Sequence, residues 1–250
     1  MHFLLVNDDG IGAVGLMGLL DAVIRAGHKA TVCAPATQQS AMSHRFTLWD
    51  AINVRDYPVS YPNCKAYAIQ GSPVDCTRLG VRHLADSKVD CVISGINDGP
   101  NDGIAVVYSG TVSAAMEASL EGYPGVATSM TGPFTDESLA LFADYTVRMA
   151  ERYAKGNPPP HTVLNLNAPR FKGAPLPEAV YASLDPVPFN DGYMEQITPM
   201  GQRVFWLQPE HRDIQPGHTD SGLLQQGFIT VSLLGSQEVR PAETIPGLMD

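Results

Sequence analysis

The sequence predicts an α/β fold in which a parallel β-sheet is covered by helices on both faces, with an irregular, hairpin-containing extension towards the C-terminus. Short apolar runs alternate with segments of helical periodicity from residue 2 to residue 154, as expected for parallel strands joined by helices. Polar or glycine-rich stretches follow most of the apolar runs. Between residues 171 and 215 proline and glycine are frequent and helical periodicity is lost, which favours an irregular extension.

The individual elements of the first half follow from apolar spacing and from helix start and stop signals. In the helix predicted for residues 14–26 the apolar side chains share one face, and Gly27 ends it. Ser72, Pro73 and Asp75 are typical of a helix start, because they supply a cap, a proline in the first position and an acid in the first turn. The other predicted elements are strands 2–6, 29–34, 64–69, 89–94 and 125–129 and helices 111–120 and 137–154.

The second half is interrupted by three consecutive prolines at positions 158–160. Beyond them we predict a strand at 163–166, a short helix at 219–226 and a strand at 228–234. We therefore expect one domain over residues 1–250, with a core of about 1–170 and 216–236 and an extension of about 171–215.

The composition is that of a soluble globular protein, with 44% apolar and 17% charged residues. No apolar run approaches the roughly 20 residues needed to cross a bilayer. The N-terminal run lacks a basic region and meets two aspartates, so it is typical of a first strand and not of a signal peptide. These features predict a cytosolic protein with no membrane partner. The four cysteines form no Cys-x-x-Cys pair, which predicts reduced, buried thiols.

The formal net charge of −10 argues against binding to a nucleic acid duplex, and no cluster of Lys and Arg offsets it. A phosphate ester as substrate would therefore need a cation other than lysine or arginine. A divalent metal held by carboxylates would meet that need.

Four polar loop segments carry the candidate chemistry. They are Asn7 to Gly10, Ser40 to Thr47, Ser94 to Gly103 and Ser109 to Thr111. In parallel sheets ligands bind at the carboxyl ends of the strands, where most of these loops lie.

Each segment has a functional and a structural interpretation. Asp8 and Asp9 are adjacent carboxylates that suit a hard divalent ion, although they could equally form an acidic turn before the next helix. The segment 40–47 is rich in hydroxyls that suit metal or phosphate oxygens, but taken alone it is typical of a surface loop. In the third segment Asn97 could offer an amide oxygen to a metal, and the alternative is a long Asx-turn loop. Ser109, Gly110 and Thr111 offer either an anion site at a helix start or a simple cap.

The sequence lacks the motifs of several other kinds of site. No Gly-x-Gly-x-x-Gly opens the first helix and no Lys-Ser/Thr follows a glycine loop, which argues against a dinucleotide site and a Walker-type NTPase. No histidine pair has helical zinc spacing.

Taken together, these segments resemble the SurE family, the stationary-phase survival phosphatases. The resemblance is carried in order by LLVNDDG at 4–10, APATQQSAMS at 34–43, GSPVDC at 71–76, SGINDGPN at 94–101 and YSGTVSAAME at 108–117. A weaker similarity lies in TDSGLLQQGFITVSLL at 219–234. The match covers the first 130 residues well and the remainder loosely.

The resemblance implies a Rossmann-like α/β fold and a phosphomonoesterase that hydrolyses nucleoside 5′- and 3′-monophosphates. It implies one divalent metal per subunit, Mg or Mn, and a homodimer or homotetramer built through the C-terminal extension; some family members also cleave polyphosphate. The implied metal ligands are Asp8, Asp9, Ser40 and Asn97. The implied catalytic residues are Asp8, Asp9 and Asn97, and the residues expected to contact substrate are Ser40, Ser43, Asn101, Ser109, Gly110 and Thr111.

The chain departs from the family pattern at three points near these motifs. Ala41 stands where glycine is frequent, and Asp98 stands where a small residue is frequent. Asp102 follows Asn101 where leucine is usual. The two aspartates add negative charge beside the expected site.

The expected mechanism is hydrolysis by a metal-activated water, which Asp8 or Asp9 orients or deprotonates. His44 is a candidate for protonating the leaving group. A covalent phosphatase of haloacid-dehalogenase type, with Asp8 as nucleophile, is an alternative, although its usual pair of aspartates separated by one residue is missing. A non-catalytic nucleotide- or metal-binding module is another. A sugar-nucleotide glycosyltransferase would need a larger second domain than the chain after Pro160 provides.

Overall fold

The protein is described by a computed structural model that covers residues 1–189, 191–208 and 214–235. In these ranges nine strands form one sheet and two more form a separate hairpin. The strands are β1 (His2–Val6), β2 (Lys29–Pro35), β3 (Val54–Asp56), β4 (Cys64–Ile69), β5 (Cys91–Asp98), β6 (Gly125–Met130), β7 (Thr162–Ala168), β8 (Ala179–Tyr181), β9 (Gly192–Ile197), β10 (Arg203–Gln208) and β11 (Ile229–Gly235).

The sheet has the strand order β3-β4-β2-β1-β5-β6-β7-β11-β8. The six strands from β4 to β7 are parallel, which confirms the predicted α/β class. The strand direction reverses towards each edge, because β3 pairs antiparallel with β4 and β11 pairs antiparallel with β7. Apolar periodicity reports that a segment is a strand but carries no information on its direction, so the sequence could not predict these reversals.

The strand order changes direction at β1. The chain runs from β1 to β2 and β4 on one side, then returns across β1 to β5 on the other. The connections at the carboxyl ends of β1 and β5 therefore diverge and leave a crevice between them, which is the usual ligand position in such sheets.

Helices cover both faces of the sheet. They are α1 (Val14–Arg25), α2 (Pro73–Leu79), α3 (Gly110–Leu120), α4 (Asp136–Lys155) and α5 (Asp220–Gln225). The pair α1 and α4 packs on one face and the pair α2 and α3 on the other. Side chains alternate along β1, so Phe3 and Leu5 pack in the core on the α1 and α4 face. Leu4 and Val6 pack in the core on the α2 and α3 face.

The region predicted as an irregular extension divides into two parts. The segment β8 returns to the main sheet, where it pairs with β11. Among the described residues of this region, β9 and β10 form a separate antiparallel hairpin, with Tyr193, Phe205 and Trp206 more than half exposed. Residue 236, the last of the predicted core, lies outside the described ranges.

No helix in the described part of the chain is both long enough and apolar enough to cross a bilayer.

Close packing of α1 on the sheet depends on Gly15. A Cβ atom at this position would lie 1.9 Å from the carbonyl oxygen of Ile96 in β5. The missing side chain therefore allows the backbones of α1 and β5 to meet directly beside the segment that carries Asn97.

We expect Gly15→Ala to lower the free energy of unfolding by roughly 1–3 kcal/mol, because either the helix or β5 must move to admit the methyl group. The gain of about 1 kcal/mol in helix propensity offsets this only in part. Urea unfolding measures the change. Gly235→Ala is the matched control, since a Cβ there would meet none of the described residues within 4 Å. A Gly15→Ala protein as stable as the parent would contradict the close contact.

Candidate active site

The loop after β1 is a tight turn that presents two carboxylates. Asn7 holds it closed, because its side-chain amide donates to the carbonyl of Gly10 at 2.9 Å and its Oδ1 accepts from the Gly10 N–H at 3.2 Å. Gly10 has φ +105°, in the region that favours glycine. Asp8 and Asp9 therefore leave the strand end in a fixed geometry.

The Asp8 carboxylate is buried against the start of α3. The Thr111 hydroxyl donates to Asp8 Oδ1. A Cβ at Gly110 would lie 3.0 Å from Asp8 Oδ2, so the glycine makes room for that oxygen. Burial raises the pKa of Asp8 to about 6, the hydrogen bond from Thr111 opposes the rise, and the charge of Asp9 adds to it.

The Asp9 carboxylate lies on the other side of the turn, towards β5. The backbone N–H of Asp98 donates to Asp9 Oδ2 at 3.2 Å. Burial raises the pKa of Asp9, the N–H of Asp98 lowers it, and the nearby Asp98 carboxylate raises it further. Two neighbouring carboxylates thus both resist ionisation, which is the electrostatic situation that a bound cation relieves.

The predicted ligand loop after β2 reaches the same place. The backbone N–H of Gln39 donates to the Asp8 carbonyl at 2.7 Å. The Gln38 side chain donates to Ser40 Oγ at 3.1 Å and also hydrogen-bonds to Asp9. Gln38 therefore links a predicted ligand on one loop to a predicted ligand on another. The sequence reasoning missed it, and its only signal was its position two residues before Ser40.

Asn97 approaches from the end of β5, directly before the residue that contacts Asp9. Its side-chain nitrogen donates to the Gly99 carbonyl at 2.7 Å, which orients the amide and leaves Oδ1 without a hydrogen-bond donor among the described residues. The pairing of β5 with β6 shifts register between Ser94 and Asn97. The regular ladder is therefore interrupted just before Asn97.

The predicted anion-binding turn lies at the N-terminus of α3, next to Asp8. Ser109 caps the helix, since its Oγ accepts from the Val112 N–H at 3.0 Å. Thr111 stabilises the Asp8 carboxylate through both its hydroxyl and its backbone. The turn and the carboxylate pair therefore belong to a single site.

Asn101 and Ser43 are placed where they hold loops together. Asn101 is buried, and its Nδ2 donates to Ser129 Oγ at 2.8 Å. Its backbone binds the side chains of Asn165 and Asn167, which alternate along β7. Those two asparagines were missed, although polar residues at alternate positions in a buried strand were a usable signal.

Ser43 fastens the Ser40 loop to the segment that precedes α3. Its Oγ donates to the Val107 carbonyl at 2.8 Å and its N–H donates to the Tyr108 carbonyl at 3.0 Å. His44 extends this attachment, because its Nε2 lies 2.8 Å from Oε2 of the buried Glu117 in α3. Only Nδ1 of His44 is then available for the predicted protonation of a leaving group.

The donor set at this crevice suits a divalent cation of the Mg or Mn type. In the described ranges no group of three or more His, Cys, Asp or Glu side chains could hold a metal ion. A cation would therefore rely on the two carboxylates, with the neutral oxygens of Ser40 and Asn97 completing the set. Hard divalent ions accept this mixture of carboxylate, hydroxyl and amide oxygens.

Comparison with known proteins gives consistent matches over most of the chain. The family model described as Survival protein SurE matches residues 3–186. A protein named 5′-nucleotidase SurE from Maridesulfovibrio salexigens is 38% identical over 237 residues, covering 94% of this chain and 92% of the relative. One of the same name from Thermosynechococcus vestitus is 33% identical, with coverage of 94% and 90%.

A solved structure agrees with the sequence matches. The crystal structure of the SurE protein from Aquifex aeolicus superimposes with a TM-score of 0.78 at 29% identity, and the match covers 94% of this chain and 93% of that one. The family model, the relatives and the shared fold lead to one conclusion: this chain belongs to the SurE family of survival proteins.

Proposed function

We propose that the protein is a nucleotidase, a divalent-metal-dependent phosphomonoesterase that hydrolyses nucleoside 5′- and 3′-monophosphates to nucleoside and phosphate. The observation that carries the proposal is the pair Asp8 and Asp9, whose pKa values are both raised at the crevice where the strand order reverses. The relatives named 5′-nucleotidase SurE support the substrate class.

Asp8, Asp9, Ser40 and Asn97 would hold one Mg or Mn ion per subunit. When bound, such an ion supplies positive charge for the phosphate and lowers the pKa of a water molecule. The Gln38 side chain supports this set, because it fixes Ser40 relative to Asp9.

The other steps of the reaction fall to side chains and backbone groups of the chain itself. An oxygen of Asp8 or Asp9 accepts the proton of the attacking water, whose oxygen forms a bond to phosphorus as the phosphorus–ester bond breaks. The leaving ester oxygen takes up a proton, for which Nδ1 of His44 is the candidate donor. Ser109, Gly110 and Thr111 begin α3, and the positive end of the helix dipole favours the developing negative charge. Ser43 and Asn101 keep the contributing loops in position.

Asp8→Asn and Asp9→Asn should each lower phosphate release from AMP in Mn²⁺ by roughly a thousandfold or more, since each removes a proton acceptor and a charged ligand. The melting temperature should fall little, because a neutral amide at a buried site avoids the cost of a buried charge. Asp56→Asn, at an exposed position in β3, is the matched control. Tight nucleotide binding by the unmodified protein, with no phosphate release in Mn²⁺, would instead identify a binding module.

The covalent route through Asp8 is separated from direct attack by one turnover in heavy-oxygen water. Direct attack places the label in phosphate alone. Label in the Asp8 carboxylate would replace our mechanism with the covalent one.

Metal affinity should depend on pH through Asp8, whose pKa burial raises to about 6. Above pH 6 the carboxylate is ionised and free for a cation, whereas below it a proton must first be displaced. We expect the Mn²⁺ affinity to fall roughly tenfold between pH 7 and pH 5, as measured by isothermal titration calorimetry. In Asp8→Asn the remaining affinity should vary less over this range. An equal pH dependence in both proteins would assign the effect to other groups.

We also propose that the chain forms a homodimer or homotetramer through the β9–β10 hairpin. A two-stranded hairpin is marginal by itself in water. One face of this one presents a cluster of exposed apolar side chains, namely Tyr193, Ile197, Phe205 and Leu207. An exposed apolar cluster of this kind marks an interaction surface.

The double substitution Phe205→Ser/Leu207→Ser should shift the protein towards the monomer, because it removes apolar area from that face. Light scattering coupled to gel filtration measures the mass. Gln196→Ser, on the opposite face of the hairpin, serves as the control. A double variant with the parental mass would place the interface elsewhere.

A further inference from the structure

A cleft of about 450 Å³ opens beside the candidate active site, at the carboxyl ends of β2 and β4. Its volume falls in the range of roughly 300–1,000 Å³ typical of small-ligand sites. The side chains along it are mainly polar, and those with hydrogen-bonding capacity include Gln39, Arg45, Thr47, Asp50 and Gln70.

The cleft and the carboxylate pair share a wall. Gln39 lines the cleft, and its backbone N–H donates to the Asp8 carbonyl at 2.7 Å. The turn at Gly10 packs against the other side of the same segment, since a Cβ there would lie 3.6 Å from the Thr37 carbonyl carbon. The ester substituent of a phosphate held at Asp8 and Asp9 would therefore lie next to the cleft.

The cleft has unused polar groups, and an exposed tryptophan is next in sequence to one of its lining residues. The Arg45 guanidinium forms no hydrogen bond or ion pair with any residue that the structure describes. Gln70 Oε1 accepts from Asn53 at 3.0 Å, and the Gln70 side-chain N–H groups donate to none of the described residues. Trp49 lies directly before the lining residue Asp50 and is 90% exposed. A planar ligand with hydrogen-bonding edges matches these groups.

The rim that carries Arg45 is fixed before any ligand arrives. Thr47 donates to the Asp75 carboxylate through its N–H at 2.9 Å and its hydroxyl at 2.8 Å. The Ser72 hydroxyl donates to the Arg45 carbonyl at 2.6 Å. A ligand therefore meets a preorganised rim and does not have to order it, which lowers the entropic cost of binding.

We propose that this cleft is the nucleoside subsite, in which the base of the substrate stacks on Trp49 and faces Arg45 while its phosphate lies at Asp8 and Asp9. This inference rests on the proposed function, because the nucleoside is the leaving group of that reaction. It adds a residue-level source of selectivity for nucleotides over other phosphate esters.

Binding can be followed without catalysis, because Trp49 and Trp206 are the only two tryptophans. In Trp206→Phe, with its oligomeric state verified, Trp49 is the sole indole. Adenosine, which has no phosphate, should change its emission saturably. In Trp49→Phe, adenosine should leave the emission of Trp206 unchanged. An unresponsive Trp49 at saturating AMP and Mn²⁺ would overturn the subsite.

Kinetics then test selectivity with AMP and ribose 5-phosphate, two esters that differ by the base. Trp49→Ala and Arg45→Ala should each lower kcat/KM for AMP roughly tenfold more than for ribose 5-phosphate, mainly through KM. Leu48→Ala, at a neighbouring exposed apolar residue, is the control and should affect both esters alike.

The outcomes separate the two proposals. Equal losses for both esters in Trp49→Ala and Arg45→Ala, or no loss for either, would overturn the subsite and leave the phosphomonoesterase standing. No phosphate from either ester with the unmodified protein, while adenosine still changes Trp49 emission, would overturn the phosphomonoesterase and leave a nucleoside-binding cleft.

Discussion

The burial of the Asp8 carboxylate is the constraint on which the rest of the site depends. A charge at a buried position is costly unless hydrogen bonds or an opposite charge compensate it. Thr111 supplies hydrogen bonds, and Gly110 supplies the space that keeps the second oxygen open. Because Asp9 is the adjacent residue, its charge increases that cost, which a bound cation would relieve.

The fold satisfies this constraint by bringing four separate segments of chain to one crevice. Asp8 and Asp9 follow β1, Ser40 follows β2, Asn97 lies near the end of β5 and Thr111 lies in the first turn of α3. Reversal of the strand order at β1 is what separates the neighbouring loops and gives the crevice its width. At Gly15, α1 packs directly against the backbone of β5 at Ile96, the residue before Asn97. The global topology and the local chemistry therefore depend on each other.

Much of the fold was predictable, because apolar spacing and helix caps are local signals. The five predicted strands of the first half are present, and the capping box at Ser72 and Asp75 begins α2 as expected. The short edge strand β3 was missed, since its three residues are all exposed and show no apolar period. The return of β8 to the main sheet depends on pairing with β11, some 50 residues later, which no local pattern reports.

The sequence names candidate ligands for the site, but it does not indicate the residues that support them. Asp8, Asp9, Ser40 and Asn97 stood out as polar residues at strand ends and through the family resemblance. Gln38 and Glu117 did not, because the contacts of Gln38 with Asp9 and of Glu117 with His44 join distant positions that only the folded chain brings together. The cleft beside the site has the same origin, since its walls come from three separate stretches of sequence.

The attachment of the Ser40 loop to α3 has a further consequence. Ser43 and His44 bind the residues before α3 and the buried Glu117 within it, and the first turn of that helix also grips Asp8. These contacts join the loop and the helix into one packed unit, so we expect a displacement of one to move the other. For protein engineering, the loop and the helix form a single cassette: transplanting one from a relative without the other would break the spacing that the unit maintains.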